Sequence, residues 1–152
     1  MTSDHEISVL NNLITTTIDS ADGFERAAED ASSGRFAQMF REFGGERRRC
    51  VSHLQDTVRN LGGTPNDDGS LTAGVHRRWL DLRDALTGAD DQAIIEEVER
   101  GEDHIKSKYE DALADPDLST TASNAIREAF QSVKAGHDRA SELKHGMQDA
   151  QL

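Results

Sequence analysis

Between residues 94 and 112 the apolar side chains Ile94, Val98, Ile105, Tyr109 and Ala112 recur in steps of three and four. That is the spacing of one helical face, and it commits the stretch to a helix with one side buried. Position 102, four after Val98 and three before Ile105, is due for an apolar residue and carries Glu102 instead. Further along, Val133 and Ala140 bracket His137 by the same four-then-three spacing. A carboxylate and an imidazole turned inward must be paired, hydrogen-bonded or bound to metal, since leaving either unpartnered costs several kcal/mol or so. The chain is therefore expected to be a helical assembly with a polar centre.

The same periodicity runs through the rest of the chain. Ile7, Leu10, Ile14, Ala21, Phe24, Ala28 and Ala31 mark a first helix, with Thr17 standing in the seam and Ser3 or Asp4 as its cap. Ser32-Ser33-Gly34 is a tight connection that makes the next helix antiparallel. Phe36, Met39, Phe40, Phe43, Cys50, Leu54, Val58 and Leu61 mark that second helix, which ends at Gly62-Gly63 before Pro65. Gly44 and Gly45 inside it predict a close helix crossing. A shorter helix follows, capped by Ser70 and striped by Leu71, Val75, Trp79, Leu82 and Leu86. Asp90 or Asp91 caps the next, and Ser119 or Thr120 starts the last, with Ala122, Ile126, Ala129, Phe130, Val133, Ala140, Leu143 and Met147 on its stripe. The expected helices span about 5–31, 35–61, 71–86, 91–114 and 119–144 of one domain, with a frayed tail beyond Lys144. No alternating strand pattern occurs.

Charge narrows the function classes. Seventeen basic residues against 29 acidic give −12, which argues against nucleic acid as a partner. No apolar window reaches the roughly 20 residues a membrane span needs, and the N-terminus has no basic-then-apolar signal. The single Cys50 excludes an internal disulfide, so a soluble, cytoplasmic protein is expected.

Four long helices fall into two hairpins, with about 28 residues from Gly62 to Ala89 between them. A connection of that length can run the whole height of a bundle and carry its short helix on the outside. This is the layout of ferritin-like bundles with one long crossover. The fold expected is all-α: a ferritin-like four-helix bundle whose crossover holds a short fifth helix.

Particular motifs agree with this layout. Val9-Leu10-Asn11-Asn12-Leu13-Ile14, Gly62-Gly63-Thr64-Pro65, His76-Arg77-Arg78-Trp79, Leu86-Thr87-Gly88, Glu99-Arg100-Gly101-Glu102-Asp103 and His137-Asp138-Arg139 occur in that order. Across about residues 7–143 the chain resembles an uncharacterised bacterial ferritin-like four-helix-bundle family, a domain of unknown function distantly similar to rubrerythrin. The wider class holds two irons with a Glu from each of two helices and Glu-x-x-His from each of the others. Against that pattern, Glu102 is in place. Glu46 is present, but Arg49 stands where its histidine is expected. His137 is present, but Lys134 stands where its glutamate is expected, and the first helix offers only Thr15, Thr16 or Asp19 at the ligand level.

The resemblance thus implies a degenerate di-iron-type site. Glu46, Glu102 and His137 either form a metal-free polar network, with Arg49 and Lys134 supplying the positive charge, or bind one divalent ion, iron foremost. On the network reading Glu102→Leu is expected to be neutral or stabilising, because Lys134 or Arg49 can then reach water. Three functions follow: a non-enzymatic, stress-associated bundle; an iron-handling or redox enzyme; and an interaction module forming a homodimer. Elsewhere, Glu46, Cys50 and His53 share a face and could suit zinc, though Cys50 also reads as a core filler. His76 and Trp79 either wall a pocket or glue the outer helix to the bundle. Arg47-Arg48-Arg49 is too short for a nucleic-acid stripe and spreads widely around its helix, and Asn66-Asp67-Asp68-Gly69-Ser70 lacks the ligand spacing and the closing Glu of a calcium loop.

Overall fold

The computed structural model describes residues 2–31, 34–70, 73–88 and 91–150. Its elements are α1 (Thr2–Asp30), α2 (Gly34–Asn60), α3 (Ala73–Thr87), α4 (Asp91–Leu113) and α5 (Thr120–Ala150), and no strand occurs among the described residues. The expected Ser32-Ser33 link, the Leu71 stripe position, the Asp90 cap and the Met147 side chain lie outside what is described. Helix α5 continues to Ala150 rather than ending near Lys144. Ser3 and Asp4 fall inside α1, which begins at Thr2, so they are not its cap.

The apolar stripes assemble into two clusters stacked along the bundle. One joins Leu10, Ile14 and Ile18 of α1 to Cys50, Leu54 and Val58 of α2, Ile105 and Tyr109 of α4, and Ala122, Ile126 and Val133 of α5. The other joins Phe24, Phe36, Phe40, Phe43, Ile94, Val98 and Ala140. These memberships fix the directions. The ends of α1 and α5 meet the starts of α2 and α4, so α1 and α5 run one way and α2 and α4 the other. Helix α1 packs on α2 and α4, and α5 packs on the same two helices from the other side, while α2 and α4 face each other diagonally without direct backbone approach.

Because α2 and α4 are parallel, the connection between them must climb the full height of the bundle, and it does so along α1. The α2 terminus is closed by Gly62 at φ 87°, with Gly63 N–H donating to the Val58 carbonyl and Gly62 N–H to that of Arg59, both at 3.0 Å. Gly63 then lies against Ile7, where a Cβ would come within 2.7 Å of the Ile7 side chain. Asn66 bonds to the backbone and side chain of Asn11 and to Thr15 Oγ1 (3.1 Å). Ser70 donates its N–H (2.9 Å) and hydroxyl (2.7 Å) to Asp19. Residues 63 to 70 thus rise in step with residues 7 to 19. The polar stripe Asn11-Thr15-Asp19 serves to hold the crossover, and the Asn66–Ser70 loop is part of that fastening. Helix α3 then packs on α1 and α4 from outside, seating Leu86 in the upper cluster with Trp79 and Leu82 against it.

Polar groups close the remaining ends. Glu6 accepts the backbone N–H of Ser119 at the start of α5, and Ser119 Oγ accepts the Ala122 N–H at 3.2 Å, which identifies Ser119 as the N-cap. Gly44 meets α1 closely, its missing Cβ falling 3.4 Å from Glu25 Cγ and 3.6 Å from Phe24 Cβ; Gly45 touches nothing within 4 Å. The close crossing expected at this pair is therefore made by Gly44 alone.

Candidate functional site

Between the two clusters lies a polar layer. On α2 the residues Phe36, Phe40, Phe43, Arg47, Cys50 and Leu54 keep a four-three rhythm, and the rhythm delivers Arg47 to the core. Its side chain is 0% exposed and that of Glu102 is 1% exposed. Arg47 Nη2 donates to Glu102 Oε2, joining the diagonal helices through the centre of the bundle. Arg47 Nε also donates to Ser20 Oγ of α1 at 3.3 Å, and the guanidinium lies over the Phe24 ring with its carbon 5.8 Å from the centroid. Nη1 is buried without a hydrogen-bond partner among the described residues. The fourth side of the layer is Gly136 of α5, where a Cβ would stand 2.9 Å from Glu102 Oε2 and 3.0 Å from Arg47 Nη2. The pair fills the space a side chain there would take.

Burial raises the pKa of Glu102, because its charged form loses water, and the adjacent Arg47 opposes that shift. One turn below, Thr17 Oγ1 donates to the Leu13 carbonyl at 2.6 Å and bonds to Tyr109 Oη at 2.7 Å. With the Thr17 proton committed to Leu13, Tyr109 is the donor. This accounts for a threonine in the α1 seam: its hydroxyl satisfies a fully buried phenol.

The residues singled out from the sequence are distributed as follows. Glu102 is buried as expected, but its cationic partner is Arg47. Arg49 and Lys134 are both exposed and make no contact with it. Helical geometry turns both away: Arg49 lies two residues, some 200°, round α2 from Arg47, and Lys134 sits one residue past the buried Val133. His137 lies at the rim with 16% of its side chain exposed, its Nε2 2.5 Å from Asp103 and its Nδ1 3.3 Å from Asp138. The inward residue of that turn is its neighbour Gly136. Glu46 is half-buried. Glu46 and His137 are close enough for their charges to act on Glu102, but their ligand atoms and that of Glu102 do not all lie within 4.8 Å of one another. In this arrangement Glu102 Oε2 is taken by the Arg47 guanidinium.

Among the described residues one trio does bring three potential ligands within that reach: His5, Asp115 and Asp117, at the surface. Its members are locally engaged, His5 with Asp115 at 2.6 Å and Asp115 with the Asp117 N–H at 2.9 Å. Glu46, Cys50 and His53 do not converge. Cys50 Sγ points at the Ala129 carbonyl, 3.8 Å away, while His53 pairs with Glu128 at 3.0 Å on the surface. His76 is exposed, whereas Trp79 is half-buried under Arg26, whose guanidinium carbon is 5.8 Å from the ring centroid.

Trp79 also walls a cavity of about 390 Å³ between α3 and the junction of α1 and α4. Ser20 and Glu102, both bonded to Arg47, form part of its lining. Of the pair His76 and Trp79 that the sequence offered as glue or pocket wall, Trp79 packs against the upper cluster and lines this cavity, and His76 is not among the lining residues. No helix among the described residues is long and apolar enough to cross a membrane.

No curated protein matches this chain. Residues 5–115, which take in almost all of α1 and the whole of α2 to α4, match the model of a family described as a domain of unknown function, DUF2383, and the chain belongs to that family.

Proposed function

We propose that this protein is a ferritin-like bundle in which an internal Arg47–Glu102 ion pair stands where that class holds metal, and that it works as a non-enzymatic module. The observation that carries the reading is the guanidinium lodged on Glu102 at mid-height, with Gly136 leaving it room. A carboxylate turned into a bundle core needs a cation, and here the chain supplies its own. Support for the ferritin-like ancestry comes from the two hairpins and the crossover that climbs α1. The acceptors a di-iron centre draws from a first helix are represented at this level by Ser20 and Thr17, whose hydroxyls are already engaged. These residues do not suit a dinuclear metal centre.

A second reading keeps one divalent ion, iron foremost, at Glu46, Glu102 and His137. It is favoured by the proximity of Glu46 and His137 to the Glu102 charge. Metal analysis of protein purified without chelator separates the two, with Glu102→Ala and His137→Ala alongside. On the ion-pair reading iron stays far below one per chain, added Fe(II) is not oxidised faster in air, and divalent metal leaves the melting temperature unchanged. One iron per chain, lost in both variants, would overturn it.

A further inference from the structure

The cavity under α3 has features that the ion pair does not explain. Its walls include Phe24, Val75, Trp79, Leu82, Val98 and Ile105, an apolar set open on one side to solvent. Its acidic lining residues all have partners: Asp19 holds Ser70, Asp22 holds Arg48, Glu97 holds Arg100 and Glu102 holds Arg47. Its cations are a different matter. Among the described residues Arg26 is engaged only with the Trp79 ring, and Arg78 and Lys108 have no ion-pair or hydrogen-bond partner. On a chain of net charge −12, with carboxylates in excess, one largely apolar cavity has collected three cations that no described carboxylate pairs with. His104 at its edge reports the same imbalance: burial first, then Arg78 and Lys108, lower its pKa.

Two glycines sharpen the point. Gly23 of α1 and Gly101 of α4 both line the cavity, and a Cβ at either would meet nothing within 4 Å. Glycine inside a helix is less favourable than alanine, because it loses more backbone freedom on folding. No packing in the fold demands that sacrifice at these two positions, unlike Gly44 and Gly136, which face crowded neighbours. What the missing side chains do is keep the cavity wide between α1 and α4. Its volume lies within the range of small-ligand sites, about 300–1,000 Å³.

We propose that this cavity binds a small amphipathic anion, with an apolar chain lying along Trp79 and Leu82 and its carboxylate or similar head held by Arg78 and Lys108. The cavity adjoins the Arg47–Glu102 pair, with Glu102 in its lining, and the inference does not depend on whether that pair replaces metal.

Trp79 is the only tryptophan in the chain, so its emission reports this cavity alone. Titration with dodecanoate, kept below its micelle concentration, is expected to shift that emission saturably at one molecule per chain. Dodecyltrimethylammonium, which has the same tail and the opposite head, and inorganic phosphate, which has no tail, are expected to leave it unchanged over the same range. Arg78→Ala with Lys108→Ala should weaken dodecanoate binding about tenfold or more. Gly101→Leu, at a position where a Cβ meets nothing within 4 Å, puts a side chain into the cavity and should abolish binding, with circular dichroism confirming that the helices are kept. The proposal is overturned if dodecanoate gives no saturable shift, if the cationic detergent or phosphate binds as well, or if a folded Gly101→Leu protein binds like the wild type.

Discussion

Removing one partner of the Arg47–Glu102 pair should be far worse than removing both. Glu102→Leu leaves a guanidinium that is 0% exposed, with Nη1 already unpartnered and only the 3.3 Å bond to Ser20 remaining. Stranding a buried charge in this way costs roughly 3–5 kcal/mol. The expectation drawn from sequence, that Glu102→Leu is neutral or stabilising, assumed a partner that could swing out to water, as Arg49 or Lys134 could. Arg47 cannot. Arg47→Met is milder, about 2–3 kcal/mol near neutral pH, since a lone carboxyl can take up a proton. Its penalty should also depend on pH. Burial already raises the Glu102 pKa in the fold above the unfolded value of 4.5, and removing Arg47 takes away the chief opposing influence. The folded state then holds the proton more tightly than the unfolded chain. The resulting stabilisation is fully present below 4.5 and is lost as pH rises through the folded pKa, so Arg47→Met should approach wild type on acidification. The double variant buries no charge and should lie within about 1 kcal/mol of wild type or above it. Urea melts followed by circular dichroism read all four proteins; with a slope of about 2 kcal/mol per M, a 4 kcal/mol loss moves the midpoint by about 2 M. If Glu102→Leu falls within 1 kcal/mol of wild type, or the double variant loses the sum of the singles, the account of the centre is wrong.

Other substitutions probe the same layer and its surroundings by the same melts. Gly101→Ala should gain about 1 kcal/mol of helix propensity, because its Cβ meets nothing. Gly136→Ala has the same gain to offer but puts a methyl 2.9 Å from Glu102 Oε2, so overpacking of about 1–3 kcal/mol should turn it into a net loss. Thr17→Val removes the acceptor of the buried Tyr109 hydroxyl and should lose about 1–2 kcal/mol, while Tyr109→Phe leaves Thr17 bonded to Leu13 and should lose less. Cys50, 6% exposed and with its thiol pKa raised by burial, should react with a disulfide reagent only as fast as the bundle opens, which stopped-flow thiol labelling in urea can follow.

Five helices and their order were legible in the sequence because each buries one continuous stripe, and periodicity records that directly. The long crossover was legible from chain length between the hairpins. The centre was legible only by half. Glu102 stood out as an acid in an apolar series, yet Arg47 occupies the matching step in Phe36-Phe40-Phe43-Arg47-Cys50-Leu54 and was hidden by the two arginines that follow it. Reading the step rather than the residue type would have found it. Position 136 was ambiguous for a different reason: Val133 to Ala140 can be bridged through 136 or 137, and both obey helical spacing. The choice depends on volume, since the diagonal pair leaves no room for a side chain at the inward position, and volume is a tertiary property. The cavity under α3 was legible only as one of two readings of Trp79, because its size depends on how far the outer helix stands from the junction it covers.

The polar layer has a consequence for uniqueness that burial alone could not secure. The apolar stripes of α2 and α4 would also interlock if either helix slid by a turn, since leucine, valine and phenylalanine accept one another with modest loss. A slide of one turn carries Arg47 off Glu102 and into the level of Phe43 or Cys50, where neither cluster offers a carboxylate. That register loses two buried charges' worth of pairing at once, a loss comparable to the few kcal/mol separating native from competing packings. Because α2 and α4 do not approach through their backbones, the pair is their direct link across the core and ties the first hairpin to the second. Gly136 makes the same demand of α5, since only a residue without a side chain can sit against the pair, and Ser20 makes it of α1 through the Arg47 Nε. Four helices are thus referred to one level by four different residues, and the apolar double variant that restores stability should be the one that loosens this register, visible as broadened side-chain signals at Phe43 and Ile105.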